Sequence, residues 1–151
     1  MRLAPMFAAL ALVPVALAFA TPALAANFEV KMLNSGEMGP MVFEPALLKI
    51  APGDTVTFVP TTKMHNAETI PGLLPEGATP FKSQQDETIT VTFTVPGAYG
   101  IECEPHYKIG MIALIVVGDT PSNLDAFKTT PMPNRARERF EILLHRLADA
   151  E

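Results

Sequence analysis

Apolar and polar residues alternate with a period of two along much of the chain. Phe28, Val30 and Met32 share one face of a short segment, and Ile89, Val91, Phe93 and Val95 oppose Thr88, Thr90, Thr92 and Thr94 in another. That period marks half-buried strands, and both segments are expected to pair antiparallel. Further strand-like runs are 42–51, which Pro45 interrupts as at an edge or bulge, then 55–59, 98–102 and 111–117. The last is continuously apolar and rich in β-branched residues, as in a strand buried on both faces. Pro52-Gly53-Asp54, Pro71-Gly72, Pro96-Gly97 and Gly118-Asp119 supply the turns between them. Short strands at this spacing predict an all-β domain built as a Greek-key β-sandwich.

After Asp119 the period becomes helical. Ser122 is placed to cap a helix through about Thr129, Pro131 and Pro133 break it, and Asn134 is placed to cap a second over about 135–149. In the second, Ala136, Phe140, Leu143, Leu144 and Leu147 recur every three or four residues, while Arg135, Glu138, Arg139, Glu141 and Arg146 take the opposite face. The stripe is short for a coiled coil, so both helices are expected to pack on the sandwich of a monomer.

The first 25 residues follow another pattern. Arg2 precedes an apolar stretch, 20 of the 25 residues are apolar, and the segment ends at Thr21-Pro22 and the small-residue sequence Ala23-Leu24-Ala25. This order reads as a secretory signal peptide cut after Ala25. A membrane anchor is the competing reading, but Pro14 breaks an apolar core already short of the roughly 20 residues a spanning helix needs. The mature domain is then 26–151, in an exported, oxidising compartment. Loss of Arg2 leaves 10 basic against 16 acidic residues, a net charge of −6 that disfavours nucleic acid as a partner.

The chain has a single cysteine, Cys103, which excludes an internal disulfide framework and any Cys-pair zinc knuckle. An unpaired thiol in an oxidising compartment is prone to oxidation unless it is buried, bound or catalytic. Cys103, His106 and Met111 follow one another at spacing C-x2-H-x4-M in a loop between two predicted strands, and His65 follows the strand 55–59. Singly, each has a plain structural reading as a buried thiol, a core Met or a surface His. Jointly they offer a thiolate, two imidazoles and a thioether, the donor set of an electron-transfer copper site. Zinc rarely takes a thioether, and a Cys103–His106 nucleophile pair leaves Met111 and His65 without a role. Four side-chain ligands leave no position open to substrate, so the chain is not read as an enzyme. Glu102 and Glu104 flank Cys103 and read as surface charges, and His145 on the helical tail is expected to be exposed.

With these residues in place the chain resembles a known family, the pseudoazurins, within the cupredoxins. The resemblance covers about 26–151 and rests on Val30-Lys-Met-Leu-Asn34, Met41-Val-Phe-Glu-Pro45, Pro52-Gly-Asp-Thr-Val-Thr-Phe58, His65-Asn66, Pro75-Glu-Gly77, Pro96-Gly-Ala-Tyr99, the Cys103-x-Pro105-His106-Tyr107 loop and Gly110-Met111-Ile-Ala-Leu-Ile115. Plastocyanins share the ligand spacing but lack the helical tail. The resemblance implies a cupredoxin-like sandwich with two C-terminal helices, holding one copper ion that cycles Cu(II)/Cu(I). It implies a periplasmic carrier of single electrons to enzymes of denitrification, typically copper nitrite reductase. The implied ligands are His65, Cys103, His106 and an axial Met111.

The family also implies roles around these ligands. The Asn66 backbone N–H is expected to bond the Cys103 sulfur while its side chain ties the two ligand loops, and Pro105 has no N–H to add. Electrons are expected to leave through His106, within an apolar patch of Met41, Pro60, Met64, Pro105 and Ile109, with Met41 against the His106 ring. Lys63, Lys82 and Lys108 are expected around that patch to meet an acidic partner. The chain departs from its family in Ser35 and Glu102, where lysines are frequent, in Glu104, where Thr is usual, and in Met64, where Gly is usual. The implied basic ring is therefore weakened. A copper sequestration or delivery protein is the alternative function, although such sites are expected to be Met- or His-rich, whereas Met32, Met38 and Met132 are dispersed.

Overall fold

The computed structural model describes residues 24–150. The predicted leader falls almost wholly outside the described residues. In the first sheet, β1 (Asn27–Gly36) pairs antiparallel with β2 (Gly39–Glu44) and parallel with β4 (Thr55–Pro60). β4 pairs antiparallel in turn with β6 (Ile89–Thr92). The second sheet has the order β3 (Leu47–Ile50), β8 (Ile112–Val117), β7 (Gly97–Glu102), β5 (Glu68–Thr69), with β3 and β8 parallel.

The parallel β1–β4 pair corrects the expectation that β1 is purely antiparallel. Alternation reports that one face is buried, not which way the neighbour runs. The run 42–51 is likewise two strands, not one, because β2 and β3 belong to different sheets. Pro45 stands at the crossing, after a cis Glu44–Pro45 peptide. β2 and β3 are both edge strands of their sheets, so Pro45 does sit at an edge, where the chain changes sheet, as befits a residue that cannot donate to a ladder.

Between the sheets, Val30, Met32, Val56, Phe58 and Phe93 pack with Tyr99, Ile101, Ala113, Ile115 and Val117. Every residue of β7 and β8 is buried, because the outer face of their sheet is also covered. There Ala98, Ile112, Leu114 and Val116 meet Phe127 of α1 (Ala126–Thr129) and Ala136, Phe140, Leu143 and Leu147 of α2 (Asn134–Asp149). An isolated helix of 16 residues is marginal in water. Burial of Phe140, Leu143 and Leu147, at about 1.5–3 kcal/mol each, is what holds α2 on the sheet.

The helix starts differ from expectation. Ser122 caps nothing: α1 begins four residues later, because the Asn123 side chain accepts from the Ala98 N–H and donates to the Ala98 carbonyl, both at 2.8 Å, and pins the preceding turn to β7. Asn134 lies inside α2, whose cap position is Pro133, without a side-chain capping bond. His145 is exposed. Arg139, placed on the solvent face by its periodicity, is buried.

Candidate metal centre

Two loops at one end of the sandwich bring the predicted ligands together. The first follows β4. Its Met64 has a positive φ of 74° and carries His65 inward. Asp86 braces this turn: its Oδ1 accepts from the Met64 N–H at 2.7 Å and the His65 N–H at 3.3 Å, and its own N–H donates to the His65 carbonyl at 2.7 Å. Burial opposes ionisation of Asp86, but the His65 and Met64 N–H groups and nearby Lys63 outweigh it and hold the carboxyl below its usual range.

The second loop joins β7 to β8. Cys103 directly follows β7, and a 3-10 turn over Glu104–Ile109 presents His106. Gly110 closes the turn in the left-handed region, at φ 91°, which redirects the chain so that Met111 enters the core. The Met111 N–H donates to the His106 carbonyl and the Cys103 N–H to the Met111 carbonyl, both at 3.1 Å, so the three ligand residues of this loop brace one another.

The donor atoms of His65, Cys103 and His106 lie within 4.8 Å of one another. Cys103 Sγ is 3.7 Å from His65 Nδ1 and 3.4 Å from His106 Nδ1. Imidazole and thiolate bonds to a first-row metal are about 2.0–2.3 Å, and three such bonds at 120° separate the donors by roughly 3.5–3.8 Å. Both sulfur–nitrogen spacings fit ligands that share one ion. His65, Cys103 and Met111 are fully buried, and His106 is half-buried.

Protonation is arranged to suit. His65 Nε2 sits 2.9 Å from Asn34 Oδ1 and 3.0 Å from Thr62 Oγ1. The amide oxygen can only accept, so Nε2 carries the proton and Nδ1 faces the sulfur with a free lone pair. Burial, followed by His106, pushes the His65 pKa down against the pull of Asp86, which keeps the ring neutral. Burial pushes the Cys103 thiol up, and the backbone N–H groups of Asn66 and His106 pull it back. A bound cation supplies the remaining drive to thiolate.

The donor set decides which ion fits. A thiolate, two imidazoles and an adjacent buried thioether, with no carboxylate in the cluster, suit copper in both oxidation states and do not resemble a closed zinc site. Copper supplies a one-electron Cu(II)/Cu(I) couple here. His65, Cys103, His106 and Met111 form the type 1 site that holds it.

The other predicted residues fall around this centre. The Asn66 side chain accepts from the Glu104 N–H at 2.8 Å and donates to Glu68 Oε2 at 3.2 Å, spanning both loops. Met41, at φ 50°, packs against the core cluster that includes Cys103 and Met111. Pro105, Lys63, Lys82 and Lys108 are exposed, as are Met64 and Ile109, at 55% and 48%. Lys82 is not a free positive charge, since it pairs with Glu68 and Glu104.

One expectation is overturned outright. Glu102 is buried, not a surface charge, and its Oε2 makes no hydrogen bond. Burial, then the Glu68 carboxylate, pushes its pKa up to about 7. Residues that sequence reasoning missed are Asn34, Asp86 and Arg139, which reach the site from distant segments, and Thr62, which lies three residues before His65. Only the Asn34 motif carried a signal.

Comparison with known proteins agrees with this geometry. Residues 30–118 match the copper binding proteins of the plastocyanin/azurin family. The chain is 55% identical to the pseudoazurin of Paracoccus pantotrophus, over 85% of this chain and 88% of that one. It is 45% identical to the pseudoazurin of Methylorubrum extorquens, over 89% and 91%. The crystal structure of pseudoazurin from Methylobacterium extorquens AM1 superposes with a TM-score of 0.77, at 45% identity, over 80% of this chain and 98% of that one. The Hyphomicrobium denitrificans pseudoazurin structure gives 0.74 at 37% identity, over 80% and 97%. With this sandwich, this donor set and these relatives, the chain belongs to the pseudoazurins, electron-carrying copper proteins of the plastocyanin/azurin family.

Proposed function

We propose that the chain is exported, loses residues 1–25, and works in the periplasm as a monomeric one-electron carrier to enzymes of denitrification, copper nitrite reductase foremost. The observation that carries the reading is the asymmetry of burial. Three of the four ligands are sealed from water, and His106 alone reaches toward the surface. Its ring edge is the exit path. Around it, exposed Met64, Pro105 and Ile109 offer an apolar face, joined by half-buried Met41 and Pro60. Such a face can exclude water from a brief encounter, while Lys63 and Lys108, unlike the carboxylate-paired Lys82, orient the partner.

The site is built to change little on electron transfer. Asn34 and Thr62 fix the His65 ring, Asp86 fixes its backbone, and Asn66 locks one loop to the other. The Asn66 and His106 N–H groups favour the thiolate, and Pro105 withholds a further donor. Such bracing also speaks against the alternative of copper storage or delivery, which needs a site that opens.

The test is reconstitution of residues 26–151 with Cu(II). An intense thiolate-to-copper visible band that bleaches reversibly on reduction is expected, and Cys103→Ala must abolish it. Stopped-flow mixing of the reduced protein with copper nitrite reductase should then show second-order reoxidation that is lost in Ile109→Glu. A protein that binds copper without the band ends the blue-copper reading, and a band without reoxidation ends the assignment of partner.

A further inference from the structure

Arg139 is only 7% exposed. Among the described residues it has no carboxylate partner within ion-pair reach. Its guanidinium is instead spent on carbonyl oxygens. Nη1 donates to Met41 at 2.7 Å and Gly110 at 2.8 Å, and Nη2 donates to Pro40 at 2.8 Å and Met38 at 3.2 Å. Placing an unpaired charge in a protein interior opposes folding unless its donors are satisfied. Four bonds satisfy most of this one, and where they end is informative.

The four carbonyls come from two segments. Met38 lies in the β1–β2 turn and Pro40 and Met41 at the start of β2, and Gly110 immediately precedes the ligand Met111. Both places need holding. Met41 keeps a left-handed φ of 50°, which is sparsely populated for a residue with a side chain, and it packs against the cluster containing Cys103 and Met111. Gly110 lies under the first turn of α2 so closely that a Cβ there would stand 2.9 Å from Arg135 Cγ and 3.0 Å from the Arg135 carbonyl oxygen. The helix therefore presses on Gly110 from one side while Arg139 holds its carbonyl.

Residue type matters as much as charge. A guanidinium presents five N–H donors in a rigid plane and can span two strands of backbone at once, whereas an ammonium is a single point on a flexible stem. Arg137 supplies an internal comparison. It grips the same helix through the carbonyls of Phe127, Lys128 and Thr130, at 3.4, 2.9 and 2.8 Å, and makes no hydrogen bond to either ligand loop. Two arginines thus fasten α2, one to α1 and one to the metal centre.

We propose that Arg139 is a positioning residue of the copper site: from the C-terminal helix it clamps the Met41 turn and the Gly110–Met111 backbone together, fixing the thioether side of the donor set. The inference deepens the copper-carrier reading and rests on it. It gives the helical tail a part in tuning the site as well as in covering the sheet.

The test compares Arg139→Met, Arg139→Lys and Arg137→Met with the unmodified protein. The first readout is amide hydrogen exchange in the metal-free protein. Met41 and Met111 are expected to exchange at least tenfold faster in both Arg139 variants, but not in Arg137→Met, after correction for each variant's global stability. The second is the copper-loaded protein, where both Arg139 variants should shift the visible spectrum and midpoint potential and Arg137→Met should leave them in place. Should Arg139→Met not fold, Arg139→Lys keeps the charge and decides alone. Wild-type exchange, spectrum and potential in Arg139→Lys, or identical changes in Arg137→Met, would overturn the role. Failure of the unmodified protein to give the blue band would overturn the copper reading itself, a distinct result.

Discussion

The Lys82 ammonium lies against the Glu104 carboxylate, one residue beyond the ligand Cys103, and bonds Glu68 at 2.8 Å on its other side. A lysine on the docking face is thus neutralised by two carboxylates, which adds to the departures at Ser35 and Glu102. The expected result is weak electrostatic steering. Transfer rates to an acidic redox partner should change less than about threefold between low and 0.5 M salt, whereas Glu104→Lys should restore a fall of about tenfold. Stopped-flow rates across ionic strength check this, and a steep fall in the unmodified protein refutes it.

Pro105 bears on the potential through the geometry of its turn. Cys103 occupies the cap position of the 3-10 turn and Pro105 its second residue, so the cap side chain, here the copper thiolate, faces a position where an N–H normally donates. Pro105→Ala supplies that donor. Hydrogen bonding draws charge from the sulfur and favours Cu(I), so the midpoint should rise. A bond of about 1–2 kcal/mol corresponds to a rise on the order of 50–100 mV for one electron, read by voltammetry.

How much of this was legible in the sequence follows from the range of each interaction. Strand alternation at Val30, Met32, Ile89 and Val91 and the C-x2-H-x4-M spacing are local, and they gave the sandwich and three of the ligands directly. Strand direction, the sheet change at Pro45 and the short α1 depend on partners 25 or more residues away, such as Asn123 on Ala98. Arg139 was misplaced for the same reason. Helical periodicity assigns a face, but the carbonyls of Met41 and Gly110 lie 98 and 29 residues from it in the chain. Glu102 was misread because alternate-face logic fails in a strand covered on both sides.

That buried Glu102 makes stability depend on pH in the metal-free protein. Its pKa rises from an ordinary 4.5 to about 7 in the fold. The folded state therefore keeps a proton that the unfolded chain releases between those values. The group's contribution is complete below pH 4.5 and is lost as pH rises through 7, on the order of 3 kcal/mol. Glu102→Gln, neutral throughout, should narrow the stability gap between pH 5 and pH 8 by that amount in urea titrations. An unchanged gap would show that the carboxyl ionises freely.

The predicted processing site has a partner waiting for it. The Ala26 nitrogen donates to Asp54 Oδ1 at 2.8 Å, while Asp54 Oδ2 accepts from the Ala51 N–H at 2.8 Å and the side chain is 7% exposed. Cleavage after Ala25 turns that amide nitrogen into an α-ammonium, and a neutral hydrogen bond becomes a charge-assisted one worth about 1.5–3 kcal/mol. Acetylating Ala26 removes the charge and leaves an N–H. In a double-mutant cycle, Asp54→Asn should therefore cost about 1–2 kcal/mol more in the free-amine protein than in the acetylated one. Equal losses in urea denaturation would mean that Asp54 serves only the Ala51 turn and that removal of the leader adds nothing to the fold.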